Sequence, residues 1–387
     1  MINKNYTPIK AHNLIGVSEA DWLQMRTEGL GGSDAARVLG ISPWGTKRDL
    51  WAEKVGIQPF TEDKNEMILQ AGHRLEDLVA RLYEYLMNSD SKGNKTSNVS
   101  VHTLNWMYRH PLFPFMQADV DRLVIKADGS QKILEIKTTD ENNRKNWFDS
   151  QGKEIIPPYY ECQVRHYMAV MNIDEADVCC LFCNEQFRVL ASLLDSDVKI
   201  PDELFSSYAE EYFLPNLIVR HITRDETYEE NLINAEQTFW NTYVVPKVEP
   251  PVEKQEGNKA KKALLRYRQF NDGVEEITTD ISSSIKNIEA IDAKIAQYKS
   301  AIKMLEENKE VDEAILLSSL NGKNEGIFEK DDVYYKVDFK KGKPSKRILA
   351  KDLKKLEAQY PEVAEKFVSF TNPTAKLKFK KYVKSTS

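Results

Sequence analysis

No stretch of this 387-residue chain reaches the apolar length needed to span a bilayer, and Met1-Ile-Asn-Lys-Asn-Tyr6 lacks the hydrophobic core of a secretion signal. Both absences point to a cytoplasmic protein with no membrane partner. Cysteine is scarce. The four present are Cys162, Cys179, Cys180 and Cys183, and a Cys-x-x-Cys among them raises zinc or an iron–sulfur cluster. Three of these lie in the apolar run Val178-Cys-Cys-Leu-Phe-Cys183, where strand alternation sends them to opposite faces, so burial as small apolar residues is the expected role. Net positive charge is also missing. The formal value is −6, which argues against a chain coated in phosphate-binding cations. The sum conceals an uneven distribution, however: Lys336 to Lys384 carries fifteen Lys/Arg against five Asp/Glu, a basic tail that suits a local DNA contact.

What is present is 41% apolar and 29% charged, in a chain too long for one ordinary core, so two or three domains are expected. The most informative stretch runs from Asp121 to Lys137. Val120–Ile125 and Lys132–Thr138 are short β-branched runs, and Ala127-Asp-Gly-Ser130 between them carries the Asp-Gly signal of a tight turn. Alternation puts Glu135 and Lys137 on one face of the second strand, with Leu134 and Ile136 on the opposite, apolar face. Two carboxylates, Asp121 and Glu135, can hold a divalent metal, and an adjacent lysine can orient water and offset transition-state charge. An Asp followed by Glu-x-Lys also occurs in hairpins that merely have a solvated face, so the neighbourhood has to decide.

From Asn13 to about Pro215 helices and strands mix. Ser18 caps a helix through Trp22 to Arg26, Gly31-Gly-Ser-Asp34 opens a second, Ile41-Ser-Pro-Trp44 closes it, and Lys47–Val55 begins another. Met67–Leu86 is a long amphipathic helix, with Leu75, Leu78, Val79, Leu82, Tyr83 and Leu86 on one stripe. Strands are expected at Val99–Leu104, Phe115–Ala118, Ala176–Cys183 and Phe187–Leu193, and a helix at Tyr159–Met171. Helices flanking a mixed sheet, an α/β (α+β) fold, is the resulting architecture for residues 1–215.

Val244 to Val252 is a proline-rich boundary, and apolar residues from Val274 to Leu305 recur in steps of three and four, as in one long helix with a coiled-coil-like seam. Residues 216–310 therefore read as a helical linker plus that helix. Residues 311–387 read as a small basic α+β module, with strands at Ile327-Phe328, Val333–Phe339 and Lys376–Phe379 around a helix at Ser345–Ala358.

Other candidates surround the carboxylates. Glu76 lies beside the apolar stripe of its helix, where it can reach the same edge. Gln163 and Tyr167, four apart, share a helix face. Arg26 and Ser33 bracket a glycine-rich turn before a helix, the makings of a phosphate cup from backbone N–H groups, a hydroxyl and a guanidinium. Read singly, each is an ordinary surface or core-edge residue.

In this order, the segments Arg26-Thr-Glu-Gly-Leu-Gly-Gly-Ser-Asp-Ala-Ala36 with Ser42-Pro-Trp44, Gly72-His-Arg-Leu-Glu76, Ala118-Asp-Val-Asp-Arg122, Glu135-Ile-Lys137 and Gln163-Val-Arg-His-Tyr167 resemble the YqaJ-like viral recombinase branch of lambda-exonuclease-like proteins. That branch belongs to the PD-(D/E)xK nuclease superfamily, whose core is restriction-endonuclease-like. The resemblance covers about the first 215 residues. It implies a phage or prophage enzyme in the bacterial cytoplasm that degrades one strand of linear duplex DNA from its 5′ end and leaves a 3′ overhang for a single-strand annealing protein. It further implies that Asp121, Glu135 and the Ile136 carbonyl ligate metal, that Glu76 assists a second ion, and that Lys137 positions the attacking water. Gln163 and Tyr167 would support the site, and two Mg²⁺, with Mn²⁺ as a substitute, would bridge the scissile phosphate and stabilise the departing 3′ oxygen. Arg26 and Ser33 match positions that hold the 5′ phosphate.

Asp119 departs from the pattern, because it stands where a small hydroxyl residue helps to bind that phosphate. A carboxylate there repels phosphate unless a metal or Arg26 neutralises it, which puts dependence on a 5′ phosphate in question. A ring of three subunits is conceivable by the same resemblance. Alternatives remain: a structure-dependent endonuclease or end-processing nuclease, a non-catalytic DNA-binding assembly protein, and a nuclease carrying an iron–sulfur cluster.

Overall fold

The computed structural model describes residues 5–59, 66–89, 96–184, 205, 209–330, 333–338 and 359, with the side chains of 66–74, 329, 330, 333–335 and 338 left aside. The chain divides into two compact units, one ending at Gly273 and the other beginning at Val274.

Chain order in the first unit starts with strand β1 (Ile9–Asn13), then helices α1 (Glu19–Arg26), α2 (Gly32–Val38), α3 (Lys47–Lys54) and α4 (Glu66–Met87). Strands β2 (Val99–His102), β3 (Trp106–Arg109), β4 (Gln117–Ala118), β5 (Arg122–Lys126) and β6 (Gln131–Asp140) follow. Next come helix α5 (Pro158–Met171), strands β7 (Glu175–Cys183) and β8 (Leu217–Thr223), and helices α6 (Glu226–Phe239) and α7 (Asn258–Tyr267).

Five strands form one sheet in the order β2-β5-β6-β7-β8, with only the β6–β7 pair parallel. This is a mixed sheet flanked by helices, as the sequence pattern implies. Strands β1, β3 and β4 form a smaller antiparallel sheet. The β5–β6 hairpin closes through Gly129 at φ +83°, and Asp128 Oδ1 accepts from the Ser130 N–H at 2.9 Å, which is why Asp-Gly stands there.

Alternation along β6 and β7 sorts the core. Leu134, Ile136, Cys179, Leu181 and Cys183 face the buried stripe of α4, including Leu75, Leu78, Leu82 and Tyr83. Ile133, Val178, Cys180 and Phe182 join a second cluster with Val164 and Met168 of α5. The cysteines are thus buried and shared among three clusters, Cys162 lying in the third, which is a packing role for each. No helix among the described residues is long and apolar enough to cross a membrane.

A division at residue 215 does not survive, because β8 begins at Leu217 and pairs with β7 as the last strand of the main sheet. The proline-rich segment is likewise part of the first unit and not a free linker. Arg48, almost buried, donates to the Pro250 carbonyl at 2.7 Å and pairs with Glu249, while Lys47 Nζ reaches Glu253 at 2.7 Å and Arg266 reaches Asp49 at 2.9 Å. Charged groups of α3 therefore hold residues 249–266 against the core, and proline marks a turn there without ending the unit.

In the second unit, helix α8 runs from Ser282 to Ser319, so it begins later and ends later than the apolar seam suggests; residues 274–281 are not helical. None of its residues is buried. Strands β9 (Glu325–Lys330) and β10 (Val333–Asp338) form an antiparallel hairpin. The expected strands at Phe187–Leu193 and Lys376–Phe379 and the helix at Ser345–Ala358 lie outside the described residues.

Candidate active site

Register brings the carboxylates together. Arg122 of β5 pairs with Leu134 of β6, so Asp121, one residue earlier, comes to rest beside Glu135, and its Oδ2 accepts from the Ile136 N–H at 2.7 Å. Glu135 is 1% exposed. Its Oε1 accepts from Lys137 Nζ at 2.5 Å and from Gln163 Nε2 at 2.6 Å, whereas its Oε2 is buried with no hydrogen-bond partner. A buried oxygen carrying negative charge and no partner is costly, and a cation is the natural complement.

Electrostatics say the same. Burial, and next the Glu135 carboxylate, push Asp121 well above the usual carboxylate range; burial also raises Glu135, against the opposing pull of Lys137. Burial works against the Lys137 ammonium, but Glu135 and Asp121 outweigh it and hold the lysine charged above its ordinary range. One ammonium therefore faces a buried carboxylate, Glu135, and a half-buried one, Asp121. Lys137 Nζ also lies 5.0 Å from the centre of the Tyr160 ring, which lines one side of the cleft.

Helix α5, which carries Tyr160, supplies two further groups. Gln163 and Tyr167, one turn apart, are both nearly buried, and Gln163 Nε2 bridges Glu135 to the Tyr167 hydroxyl at 3.3 Å. Burial, reinforced by Glu135 and Asp121, pushes the Tyr167 phenol well above its ordinary pKa, so it remains a neutral donor. His166 points the other way. Its Nδ1 meets Glu236 of α6 at 2.8 Å and its Nε2 meets the Gln117 carbonyl of β4 at 2.8 Å, which ties α5 to the strand leading into Asp119.

Glu76 approaches from α4, on the opposite face of the sheet. It forms an ion pair with Arg122, whose second guanidinium nitrogen holds Asp77. Its charge still raises both Asp121 and Glu135. Alternation explains the arrangement: Arg122 follows Asp121, turns to the α4 side, and stands between Glu76 and the pair. Among the described residues no group of three His, Cys, Asp or Glu is arranged to hold an ion. The donors nevertheless suit a hard divalent cation, being paired carboxylates with one buried oxygen unclaimed. The Ile136 side chain lies in the apolar cluster under α4, and only its backbone belongs to the site.

The glycine-rich turn packs directly on this centre. A Cβ on Gly32 would come within 2.5 Å of Tyr167 Cε1 and 2.9 Å of the Gln163 carbonyl, so α2 can lie this close to α5 only with glycine there. Arg26 donates to Ser33 Oγ at 2.7 Å and to Asp34 at 3.3 Å, and its guanidinium lies 5.0 Å from the Trp22 ring. The cup differs from the one anticipated, since the Gly31 N–H is already taken by Asp34 Oδ2 at 3.0 Å. Asp34 is fully buried, and although burial opposes its charge, Lys54, Arg26 and Arg37 hold it well below the usual range.

Asp119 accepts from Trp22 Nε1 at 2.7 Å. Trp22 and Arg122 are the site residues that sequence reasoning passed over. The available signal was spacing: Trp22 lies one helical turn before Arg26, and Arg122 lies on the alternate side of the strand from Asp121.

Residues 21–174, which carry every residue just described except Glu236, match the family model of the YqaJ-like viral recombinase domain. This segment is similar to that domain. Beyond it, the chain is 28% identical over 353 residues to the uncharacterised protein YqaJ of Bacillus subtilis (strain 168), covering 90% of this chain and 91% of that one. The likeness therefore extends past the YqaJ-like domain into the second unit. Two solved structures are also similar. An alkaline exonuclease, LHK-Exo, from Laribacter hongkongensis matches at 18% identity and TM-score 0.39, over 59% of this chain and 94% of that one. A phage-related exonuclease from Haemophilus somnus 129PT matches at 14% identity and TM-score 0.35, over 58% and 99%.

Proposed function

We propose that this protein is a metal-dependent deoxyribonuclease of phage-type recombination, which degrades one strand of linear duplex DNA in the 5′-to-3′ direction and leaves a 3′ overhang for a single-strand annealing protein. The observation that carries this reading is the Asp121–Glu135 pair, with the buried Glu135 Oε2 unclaimed and Lys137 as the adjacent cation. The match to a viral recombinase domain supports the biological setting.

Asp121 and Glu135, with the Ile136 backbone between them, would hold the divalent cation, Mg²⁺ by the resemblance, and Glu76 would serve a second once released from Arg122. When bound, the cation supplies Lewis acidity toward a phosphoryl oxygen and an attacking water. Lys137, kept charged by its two carboxylate neighbours, orients that water and offsets negative charge developing on the phosphate. Gln163 keeps Glu135 Oε1 engaged, so the other oxygen is left for the cation. Tyr167, neutral, donates toward the scissile strand.

Arg26 and Ser33 anchor a phosphate beside α2, the guanidinium exchanging its bond with Ser33 for a phosphate oxygen. Asp119 works against that contact less than a free carboxylate would, because Trp22 engages it. A terminal 5′ phosphate is on this account tolerated and not essential. The decisive assay uses purified protein with Mg²⁺ on linear duplexes labelled at either end, with and without a 5′ phosphate. Loss of the 5′-terminated strand, abolished by EDTA, is the expected result; intact linear DNA under all conditions would remove the assignment.

A further inference from the structure

The largest exposed aromatic side chain near the cleft has no part in the chemistry above. Trp44 is 64% exposed, yet it stands on a rigid footing. Ser42, buried, accepts at Oγ from the backbone N–H groups of Trp44 at 3.2 Å and Gly45 at 3.3 Å, and its carbonyl accepts from Lys259. Directly after the loop, Thr46 caps α3 in a reciprocal capping box with Asp49. A Cβ on Gly45 would lie 3.1 Å from Arg37 Cδ, so the loop also runs tight against α2. Such anchoring fixes an indole in water where solvation alone would favour a polar residue.

The indole is backed by two tyrosines of α5. Its ring centre lies 5.1 Å from that of Tyr159, edge-on, and 5.9 Å from that of Tyr160. Tyr160 in turn lies 5.0 Å from Lys137 Nζ. Two ring contacts thus lead from an exposed face to the cation beside Glu135. The surrounding cations Lys47 and Arg37 are already paired with Glu253 and Glu53, so the surface offers a π-face more than it offers charge.

We propose that Trp44, supported by Tyr159 and Tyr160, is a stacking platform for an unpaired base of the strand being cut, next to the nucleotide whose phosphate lies at Lys137. Every base has a π-face, so the contact is indifferent to sequence, as processive degradation requires. The proposal rests on the nuclease reading for the identity of its ligand.

The test uses the full-length chain carrying Asp121→Asn, in EDTA, so that DNA is bound and not cut. The probes are a linear duplex with a two-nucleotide frayed 5′ end bearing 2-aminopurine, and a nick-free circular duplex. Adding Trp44→Ala or Trp44→Leu is expected to weaken binding to the frayed end by about tenfold and to remove the 2-aminopurine quenching, with Trp44→Phe close to the parent. Binding to the circle should stay within about twofold of the parent. Unchanged affinity and quenching in Trp44→Ala would overturn the platform, as would equal losses on frayed and circular DNA, or a Leu variant that behaves like the parent. If the wild-type chain with Mg²⁺ leaves all DNA intact while the Trp44-dependent quenching persists, the nuclease reading fails alone. Cleavage with no effect of Trp44 removes the platform alone.

Discussion

Two buried acidic centres lie within the first unit, and they are wired in opposite ways. Asp34 is surrounded by Lys54 at 2.7 Å, Arg37 at 2.6 Å and Arg26 at 3.3 Å, and its ionised form is strongly favoured. Asp121 and Glu135 share one lysine, keep an oxygen without a partner, and have their ionised forms disfavoured. Both centres bury charge. The first is complete without help and joins α2, α3 and the end of α1; the second is incomplete until cationic charge arrives. An uncompensated buried carboxylate is tolerated where function requires it, so the contrast sets a structural knot against the proposed site.

The sharpest way to break this contrast is to neutralise each centre in turn. Asp121→Asn keeps the oxygen that accepts from Ile136 and removes one charge. Cleavage of linear duplex with Mg²⁺ should fall by about 10³-fold, since the metal's contribution is several kcal/mol. A nuclease assay on folded variant with more than a tenth of the wild-type rate would remove Asp121 from the site.

Asp34→Asn should act on stability instead, leaving Lys54, Arg26 and Arg37 short of a counter-charge at a cost of about 3–5 kcal/mol. Urea denaturation reads this directly, and a variant as stable as the parent would mean that the knot relaxes.

Gly32→Ala probes the seam between the two centres. The added methyl meets Tyr167 and the Gln163 carbonyl, so either α2 or α5 must move, for about 1–3 kcal/mol. Activity should drop more than stability does, because Gln163 and Tyr167 shift relative to Glu135. Equal and small effects on both would show that the two helices slide apart freely.

The pH response should have opposite signs at the two centres. Asp121 and Glu135, raised in the folded protein, favour the fold below the ordinary carboxylate range, and that contribution is lost as pH rises through their raised values. Asp34, depressed, favours the fold above its unfolded value near 3.8 and loses that contribution only as pH falls through its folded value. In EDTA, wild-type stability should therefore decline as pH rises above the carboxylate range. The decline should be smaller in Asp121→Asn, and Mg²⁺ should flatten it in the wild type. Melting curves across pH with and without Mg²⁺ decide this, and a metal-free profile identical for wild type and Asp121→Asn would count against the uncompensated pair.

The smallest expected effect concerns the second unit. Residues 1–273 contain the carboxylate pair and the whole five-stranded sheet, so that fragment should still cut DNA in a metal-dependent way, with shorter processive runs. Run lengths equal to those of the full chain would deny the long helix and basic tail a role in holding DNA.

Much of the candidate site could be read from local pattern. An Asp-Gly turn between β-branched runs specifies the β5–β6 hairpin, and period-two alternation assigns Glu135 and Lys137 to one face; neither needs knowledge of distant residues. The α4 stripe was equally legible, because a continuous apolar face at helical spacing has few alternatives. Less legible were β1, β3 and β8. They are short or of mixed polarity, as in Leu-Ile-Val-Arg-His-Ile-Thr from Leu217 to Thr223, and they become strands through pairing with β3, β4 and β7. The proline-rich segment misled for the same reason, since the cations that hold it lie some 200 positions earlier in sequence.

By itself the sequence determined which groups could do the chemistry: two carboxylates and a lysine at one strand end, an amide and a phenol a helical turn apart, and thiols destined for packing. Only the tertiary structure decided their state of charge and company. It set Glu76 against Arg122, gave Asp119 to Trp22, surrounded Asp34 with cations and left Glu135 with an oxygen unmatched. The reason is physical. Side-chain type and spacing act over a few residues, whereas desolvation and Coulomb interaction depend on every element packed within several ångströms, whatever its distance along the chain.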